Sequence, residues 1–480
     1  MGASTVSQGP IAIAGTQAGN GGGGWRRARL RVPAGAVPRR AGGPVARMFG
    51  LLRGAIVPRT FTGSCGRRAL YAGLAVSGAL IAVASAGLAQ AAGIEPRETP
   101  DIPRPAYLQR MIDPVFGTTV LRITDAGNPI ANPTGDPSLD GRSWERETGH
   151  AYSSRSAWNA DQSLMILEKG VSGSVYLDGA TYAPLFRRDW PGDLRWHPTD
   201  PETVLFVNNE HKCLGAYRPR SDSFAWRRCL TGYDSLEWGD PGKGKPSLDG
   251  TIMPLRARRS GDKHWVAFLY HIDSETVSAE IDLSQYAEAG DSPDFVMSPK
   301  GDTIVVVGCL KGHTGRCEAQ MGVDVATGKE LWRTNNYHDP GHADEAVDAN
   351  GEQWRIGVSK EGPFKGQIIK RNFRTGEAVS LIPYWGSHTS TRDIHAARNI
   401  AVVTFDDPSG SPLQGEIDGV CIDGSCFERY AHTHRSGSKR YLAENQGSIS
   451  PLGNRIVFRS DWGDPNGPID SYVIELPDAR

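Results

Sequence analysis

Three histidines follow a small residue at the start of polar segments that lie far apart in the chain. The three dipeptides are Gly149-His150, Gly341-His342 and Ser387-His388. Tyr152 comes two residues after the first histidine, and Arg392 comes four residues after the third. Neutral imidazole and tyrosine can exchange a proton with a substrate, while a guanidinium can hold a carboxylate through two parallel hydrogen bonds. These residue types predict the removal of a proton from a substrate next to a bound carboxylate. The catalytic candidates are His342, His150, Tyr152 and Arg392.

Other side chains near these segments could bind a sugar substrate. An arginine or histidine can bind its charged and hydroxyl groups, and the large flat ring of a tryptophan can stack on its apolar face. The substrate-binding candidates are Arg155, Trp196, His197, Trp385 and His395.

The histidines could instead hold a divalent metal such as Mn, Ca or Zn, because imidazole is a common metal ligand. The candidates for this role are His388, Gln446, His432 and His434. Only His432-Thr433-His434 has a short spacing, and we expect it on a loop.

Two further kinds of chemistry can be weighed from motifs. The sequence has no G-x-S-x-G elbow, no P-loop and no dinucleotide fingerprint, which argues against a serine peptidase and against nucleotide chemistry. A carboxylate pair for glycoside hydrolysis stays open. Its possible members are Glu237, Asp294, Asp344 and Glu444.

A repeat of about 45 residues must position these side chains, and a propeller blade of four strands has about that length. Each copy reads as a polar inner strand, a turn, an apolar strand and a hairpin. The turns begin at Asn159, Thr199, Ser247, Ser298, Asp348, Ala397 and Ser450. Because short β-rich runs alternate with Asp-Gly and Pro-Gly signals and no long helical pattern occurs, the sequence predicts an all-β, seven-bladed β-propeller.

The ends of the repeat array predict how the ring closes. The seventh copy stops after DSYVIEL and lacks a fourth strand, whereas residues 117–124 form a spare strand ahead of the first copy. We therefore expect residues 117–124 to pair with residues 472–476, which leaves no exposed sheet edge. Inner strands then run in the same sense, so their first residues should meet at one rim. This predicts a common pocket for His150, His342, His388, Arg392 and Gln446.

The N-terminal region has the composition of an export signal. Residues 1–66 are rich in Gly and Arg, and we expect them to be disordered. Residues 67–91 combine Arg67-Arg68, an apolar run and a small-residue site at Ala89-Gln90-Ala91, as in a signal peptide or a membrane anchor. We assign 92–114 to a linker and 115–480 to the propeller. This predicts a periplasmic or secreted protein, bound to a membrane only if the signal stays uncleaved.

The charge distribution and the cysteines agree with the prediction of an exported protein. Residues 1–68 hold 11 of the 53 Lys and Arg and no acid, so the remainder carries 42 basic against 54 acidic residues. Such a surplus of acid argues against nucleic-acid binding, which needs a basic footprint. Beyond the signal, six cysteines allow fifteen pairings, and the expected hairpins select three of them. The predicted disulfides are Cys213–Cys229, Cys309–Cys317 and Cys421–Cys426.

Three phrases resemble the oligogalacturonate lyase and ulvan lyase group of seven-bladed propellers, and more loosely the TolB-type propellers. They are DPVFGTTVLRIT, GHAYSSRSAWNAD and SPLGNRIVFRSDWG with DSYVIEL. The resemblance implies His342 as the base and His388 with Gln446 as manganese ligands, or His150 and Tyr152 as a catalytic pair. The sequence departs from the pattern at residues 447–450, where further histidine ligands are expected and none occurs.

These observations favour an exported polysaccharide lyase that cleaves an anionic, uronate-containing oligo- or polysaccharide by β-elimination. The alternative is a non-catalytic, TolB-like propeller that binds a glycan or a protein through the same pocket. A glycoside hydrolase is the third class.

Overall fold

A computed structural model describes residues 94–169, 173–314, 317–334, 339–391, 399–406 and 410–476. The segments predicted as a disordered tail and a signal, 1–66 and 67–91, lie outside these residues. Within them, no helix has the length and apolarity needed to cross a bilayer. The helical elements of the described chain are four short 3-10 turns, Pro137–Leu139, Leu283–Gln285, Gly362–Phe364 and Tyr441–Ala443.

The described chain forms seven antiparallel sheets, one for each predicted repeat. The first blade consists of β3 (Leu164–Leu167), β4 (Ser174–Asp178) and β5 (Pro184–Arg188). The second consists of β6 (Asp193–Trp196), β7 (Val204–Asn208), β8 (Cys213–Arg218) and β9 (Ser223–Cys229). The third consists of β10 (Tyr233–Trp238), β11 (Ile252–Arg259), β12 (Trp265–His271), β13 (Thr276–Val277) and β14 (Ile281–Asp282).

The remaining four blades complete the ring. The fourth blade consists of β15 (Asp294–Met297), β16 (Thr303–Gly308), β17 (Ala319–Asp324) and β18 (Glu330–Arg333), and the fifth of β19 (Gly341–Val347), β20 (Gln353–Ser359), β21 (Gln367–Asn372) and β22 (Ala378–Ile382). The sixth consists of β23 (His388–Ser390), β24 (Ile400–Thr404), β25 (Glu416–Cys421) and β26 (Phe427–His432). The seventh consists of β27 (Ser448–Ile449), β28 (Arg455–Ser460) and β29 (Asp470–Glu475), together with β1 (Arg110–Ile112) and β2 (Thr119–Arg122).

The hydrophobic core lies between the blades. Seven clusters of buried apolar side chains each join two neighbouring blades, and the series returns from the seventh blade to the first. Runs such as TIVVVG in β16 suit this position, since β-branched side chains pack well on both faces of a buried strand. The seven interfaces confirm the predicted seven-bladed propeller.

Both ends of the array build the seventh blade, as predicted. β2 pairs with β29 in the register Thr119 with Glu475 through Arg122 with Tyr472. β1 then adds a fifth strand, which places a strand inside the segment 92–114 that we expected to be a linker. The chain before β1 also lies against the propeller, since Arg104 forms an ion pair with Asp470 at 3.2 Å.

A loop from the third blade occupies the central channel. After β10, residues 239–246 turn sharply, with the Lys243 and Gly244 N–H groups both donating to the Asp240 carbonyl. Lys245 then forms ion pairs with Asp344 and with Glu345, the latter at 2.8 Å. Both acids belong to β19, the inner strand of the fifth blade. Because the third and fifth blades are not neighbours, this contact crosses the channel.

The three predicted disulfides, Cys213–Cys229, Cys309–Cys317 and Cys421–Cys426, are all formed. Each closes one hairpin or loop near the outer part of a blade. Disulfides are typical of proteins from an oxidising compartment.

Candidate functional site

His342 stands at the rim where inner strands begin. Its backbone has a φ of +46°, and the pairing of β19 with β20 shifts register between Gly341 and Asp344. A bulge of this kind redirects a side chain, and a non-glycine residue in the left-handed region is typical of functional sites. The Nδ1 atom lies 2.7 Å from the Ser387 carbonyl oxygen. Because that oxygen only accepts, Nδ1 of the neutral ring donates to it. The Nε2 lone pair is left facing the Lys360 Nζ atom at 3.5 Å.

His388 lies between two other rings of the rim. Its imidazole stacks on that of His342 with 4.7 Å between centroids, and Tyr152 meets it edge-on at 5.4 Å. The ring is almost completely buried, and its Nδ1 atom has no hydrogen-bond partner among the described residues. First residues from the fifth, sixth and first blades thus meet in one row of three aromatic rings.

Gln446 and Glu444 together link this row to His150, since Glu444 lies 3.9 Å from His388. The His150 Nε2 atom donates to the Gln446 backbone carbonyl at 2.8 Å, and the Gln446 side-chain amide donates to Glu444 at 3.1 Å. Gln446 also has a left-handed backbone, with a φ of +47°. The structure therefore brings together His150, Tyr152, His342, His388 and Gln446, five of the residues named from the sequence.

Arg459 was not among the sequence candidates, although it lies at this site. It belongs to β28, the second strand of the seventh blade, and its side chain is fully buried. Gly149 makes room for it, because a Cβ atom at Gly149 would come within 2.3 Å of the Arg459 Cδ atom. The prediction considered only first residues of inner strands. The signal that could have found Arg459 is an arginine directly after the apolar run IVF in β28.

Burial and nearby cations keep the site's imidazoles neutral. Burial, reinforced by Lys360, lowers the pKa of His342 to about 4. Burial also lowers the pKa of His388, with further effects of His342 and Arg459, and that of His150, with a further effect of Arg459. Burial raises the pKa of the Tyr152 phenol. At neutral pH the rim thus offers neutral imidazoles and a protonated phenol.

Four substrate-binding candidates have other surroundings. Trp196 ends β6 rather than starting it, and its ring nitrogen donates to the Ala157 carbonyl at 3.0 Å. His197 follows on the same turn and accepts from the Asp200 N–H, so both lie at the opposite end of the inner strand. Arg155 is held by Glu168 at 2.8 Å and by Asp193. Trp385 packs against the core between the fifth and sixth blades.

Two of the metal-binding candidates are remote from the other two. His432 ends β26, the outermost strand of the sixth blade, while His388 starts the innermost strand of that blade. Three strand spacings separate them, roughly 14 Å. The His432 N–H donates to Asp113, and His434 stacks on Trp462 at 4.1 Å. The structure therefore does not bring the four candidate ligands together at one place.

The remaining donors do not make a metal site. His388 Nδ1 and Gln446 Oε1 are unpartnered, but the buried Arg459 guanidinium beside them would repel a divalent cation. In the described part of the chain, the one group of three His, Cys, Asp or Glu with converging ligand atoms is Cys309, His313 and Cys317. Both of its sulfur atoms are bonded to each other. The residues present fit an anion better than a metal.

The carboxylates considered for glycoside hydrolysis have separate environments. Glu237 and Asp294 share Arg256 on the third and fourth blades, and burial raises the pKa of Asp294 to about 6. Asp344 is buried in the ion pair with Lys245. Glu444 lies at the histidine rim, 3.9 Å from His388. The two other rim candidates, Arg392 and His395, lie outside the described residues.

Comparison with known proteins supports the architecture. No family model matches the chain, and no curated protein matches it. An oligogalacturonate lyase structure from Vibrio parahaemolyticus is similar with a TM-score of 0.51 and 12% identity, over 77% of this chain and 96% of that one. The likeness shows the fold alone.

Two further propellers are less similar. The WD40 domain of Neurospora crassa Pan2 matches with a TM-score of 0.42 at 12% identity, over 68% of this chain and 90% of that one. Hydrazine synthase of Kuenenia stuttgartiensis matches with a TM-score of 0.38 at 10% identity, over 71% and 99%.

Proposed function

We propose that the protein is an exported lyase that cleaves a uronate-containing oligo- or polysaccharide by β-elimination. One observation carries this proposal: the neutral imidazole of His342, whose Nε2 lone pair faces Lys360, and the protonated phenol of Tyr152 both contact the His388 ring at the rim. A base and an acid at one rim are what an elimination needs.

In the proposed reaction, His342 Nε2 takes the proton from C5 of the uronate, next to the carboxylate. The electron pair of the C5–H bond forms the C4–C5 double bond, and the bond from C4 to the leaving oxygen breaks. Tyr152 donates its phenolic proton to that oxygen. The products are an unsaturated uronate and a free hydroxyl group, so no oxidant or co-reactant is required.

Cations of the rim could hold an anionic substrate. Lys360 and Lys243 both act on His342, and Arg459 acts on His150 and His388, in each case lowering the pKa of the imidazole. These cations would attract a carboxylate and stabilise the negative charge that develops on it after proton removal, against the opposing charges of Glu444 and Asp240, which act on Tyr152. His388, which touches both reacting side chains, is a positioning residue in this scheme.

An absorbance assay tests the proposal, because the new double bond is conjugated with the carboxylate and absorbs in the ultraviolet. We expect product from at least one member of a panel of polygalacturonate, glucuronan, alginate and ulvan. His342→Ala should abolish it, whereas His211→Ala, at an exposed histidine on the β7–β8 hairpin, should not.

Other outcomes would decide for the rivals. Saturated products would indicate a glycoside hydrolase. Binding of a panel member without any product would support the non-catalytic, glycan-binding propeller. Equal activity after treatment with a chelator is expected, since we assign no step to a metal.

We also propose a periplasmic or secreted location. The three disulfides support it, because such bonds persist in oxidising compartments. Detection of the mature protein outside the cytoplasm, with an N-terminus near residue 91, would test both the location and the predicted signal.

A further inference from the structure

The guanidinium of Arg459 is a buried charge without a hydrogen-bond partner. Its Nε, Nη1 and Nη2 atoms are all buried, and none has a hydrogen-bond partner among the described residues, although Glu444 and Asp406 act on its charge. Two other buried arginines of the propeller differ. Arg195 donates to the Gly244 carbonyl and to Asp193, and Arg371 donates to the carbonyl and carboxylate of Asp339. Taking a charge out of water without hydrogen bonds is costly, so the N–H groups of Arg459 are strong potential donors to a ligand.

The backbone and neighbours of Arg459 hold it in place. Its N–H donates to the Asn445 carbonyl at 3.0 Å, and the Asn445 side chain donates back to the Arg459 carbonyl. The absent side chain of Gly149 leaves the space that the arginine stem occupies. Tyr441 covers the guanidinium, with 5.8 Å between the guanidinium carbon and the ring centroid, and this ring is 52% exposed. One aromatic ring thus stands between the charge and solvent.

Unpartnered acceptors surround the same place. His150 Nδ1, Gln446 Oε1 and Asn445 Oδ1 are buried without a partner among the described residues. Because His150 Nε2 donates to a carbonyl, Nδ1 of the neutral ring carries a lone pair. The site therefore combines unused N–H donors on one arginine with unused acceptors on three neighbours. Native proteins leave few such groups unsatisfied, so this concentration indicates a place for a ligand.

We propose that Arg459 forms a buried carboxylate-binding site in which a uronate fills these hydrogen bonds. The carboxylate accepts from the guanidinium through two parallel bonds, and sugar hydroxyl groups donate to His150, Gln446 and Asn445. The proposal rests on the proposed function and adds the residue that selects a uronate over a neutral sugar.

A specific consequence separates this role from a structural one. Arg459→Met removes an unpaired buried charge and keeps an unbranched side chain of similar length, so the ligand-free variant should melt at a higher temperature than the wild type. Arg371→Met is the matched control. It strips a partner from buried Asp339, so its melting temperature should fall.

Thermal melting with added sugars is the test, using galacturonate and glucuronate against galactose and glucose. We expect both uronates, or one of them, to raise the melting temperature of the wild type and of Arg371→Met, while the neutral sugars do not. Arg459→Met should show no uronate-dependent rise, and Arg459→Lys should show a reduced one. A uronate-dependent rise that persists in Arg459→Met would overturn the proposal, as would its melting far below the wild type. So would a wild type that responds to neither uronate.

The two proposals can fail separately. Uronate binding that depends on Arg459, without any unsaturated product, would support the carboxylate site and contradict the lyase assignment. Product formation by Arg459→Met at the wild-type rate would support the lyase assignment and contradict the carboxylate site.

Discussion

The two ends of the central channel are built by the same seven repeats and yet differ in kind. At the turn end, one hydrogen bond recurs: the Ser247, Ser298 and Ser450 hydroxyls each accept from the N–H five residues later, and Asn159 does the same. At the histidine end, the bonds differ from blade to blade: His342 donates through Nδ1 to Ser387, whereas His150 donates through Nε2 to Gln446. Several buried polar atoms there have no partner among the described residues.

The difference separates an end that stabilises the fold from the end at which we propose the chemistry. Repeated and satisfied bonds fix the turns between inner and second strands, so the turn end is a set of equivalent stabilising elements. The histidine end carries left-handed residues at His342 and Gln446, a bulge in β19 and the unpaired Arg459. Such local departures from good structure are costly and are found at functional sites.

The largest expected effect is a loss of turnover at the histidine end. Tyr152→Phe removes the proposed acid and should lower kcat by about 10²–10⁴-fold, the usual contribution of general acid–base catalysis. Its melting temperature should hardly change, since no described residue accepts a hydrogen bond from the Tyr152 hydroxyl. Initial rates and melting curves would be compared with Tyr182→Phe, at a buried tyrosine between the seventh and first blades. A Tyr152→Phe enzyme with normal turnover would remove Tyr152 from the mechanism.

The pH dependence of kcat/KM and kcat tests the histidine end in a second way. Only the neutral imidazole of His342 can accept the proton, and its pKa is lowered to about 4, so kcat/KM should rise through about pH 4 and stay level up to neutrality. A bound uronate brings negative charge to the ring and raises that pKa, so kcat should inflect at a higher pH than kcat/KM. An inflection of kcat/KM near 6.5, the ordinary value for histidine, would contradict the assigned base.

The smallest expected effect lies at the turn end. Ser298→Ala deletes the hydroxyl that bonds Asp302 at 2.8 Å and leaves the buried Thr303 N–H without its acceptor. The free energy of unfolding should fall by about 1–2 kcal/mol, the cost of an unmade buried hydrogen bond. Chemical denaturation would measure this change, and turnover should equal that of the wild type. A loss of turnover without a loss of stability would show that the two ends are not separate in function.

The fold could be predicted because its signals are repeated. Seven copies of one turn phrase fixed the number of blades, and the missing strand after DSYVIEL matched the spare strand at 117–124. The disulfides followed from the hairpins. The boundary at 115 was too late, since β1 has only three residues, RMI, and pairs only as an edge strand. A short edge strand leaves little trace in composition.

The site could be predicted only where a residue begins an inner strand. That rule led to His150, His342, His388 and Gln446, which the structure brings together. It failed for Trp196, because the Trp-His-Pro phrase ends β6 rather than starting it. It could not reach Arg459, whose side chain comes from a second strand. Its place depends on Gly149 in another blade, and such packing between distant segments has no signature in a single sequence.

Ring closure also decides when the protein can finish folding. The pairing of Thr119 with Glu475 joins segments that are 356 residues apart, whereas the other six sheets are made of neighbouring strands. Contacts of such high sequence separation form slowly, since a long stretch of chain must lose conformational entropy before the contacts lower the free energy.

The seventh sheet is thus the last to form, and the rim from blades one, five, six and seven is complete only then. A polypeptide still emerging from the ribosome can hold six blades but not the complete rim. The proposed elimination is therefore expected only of finished molecules.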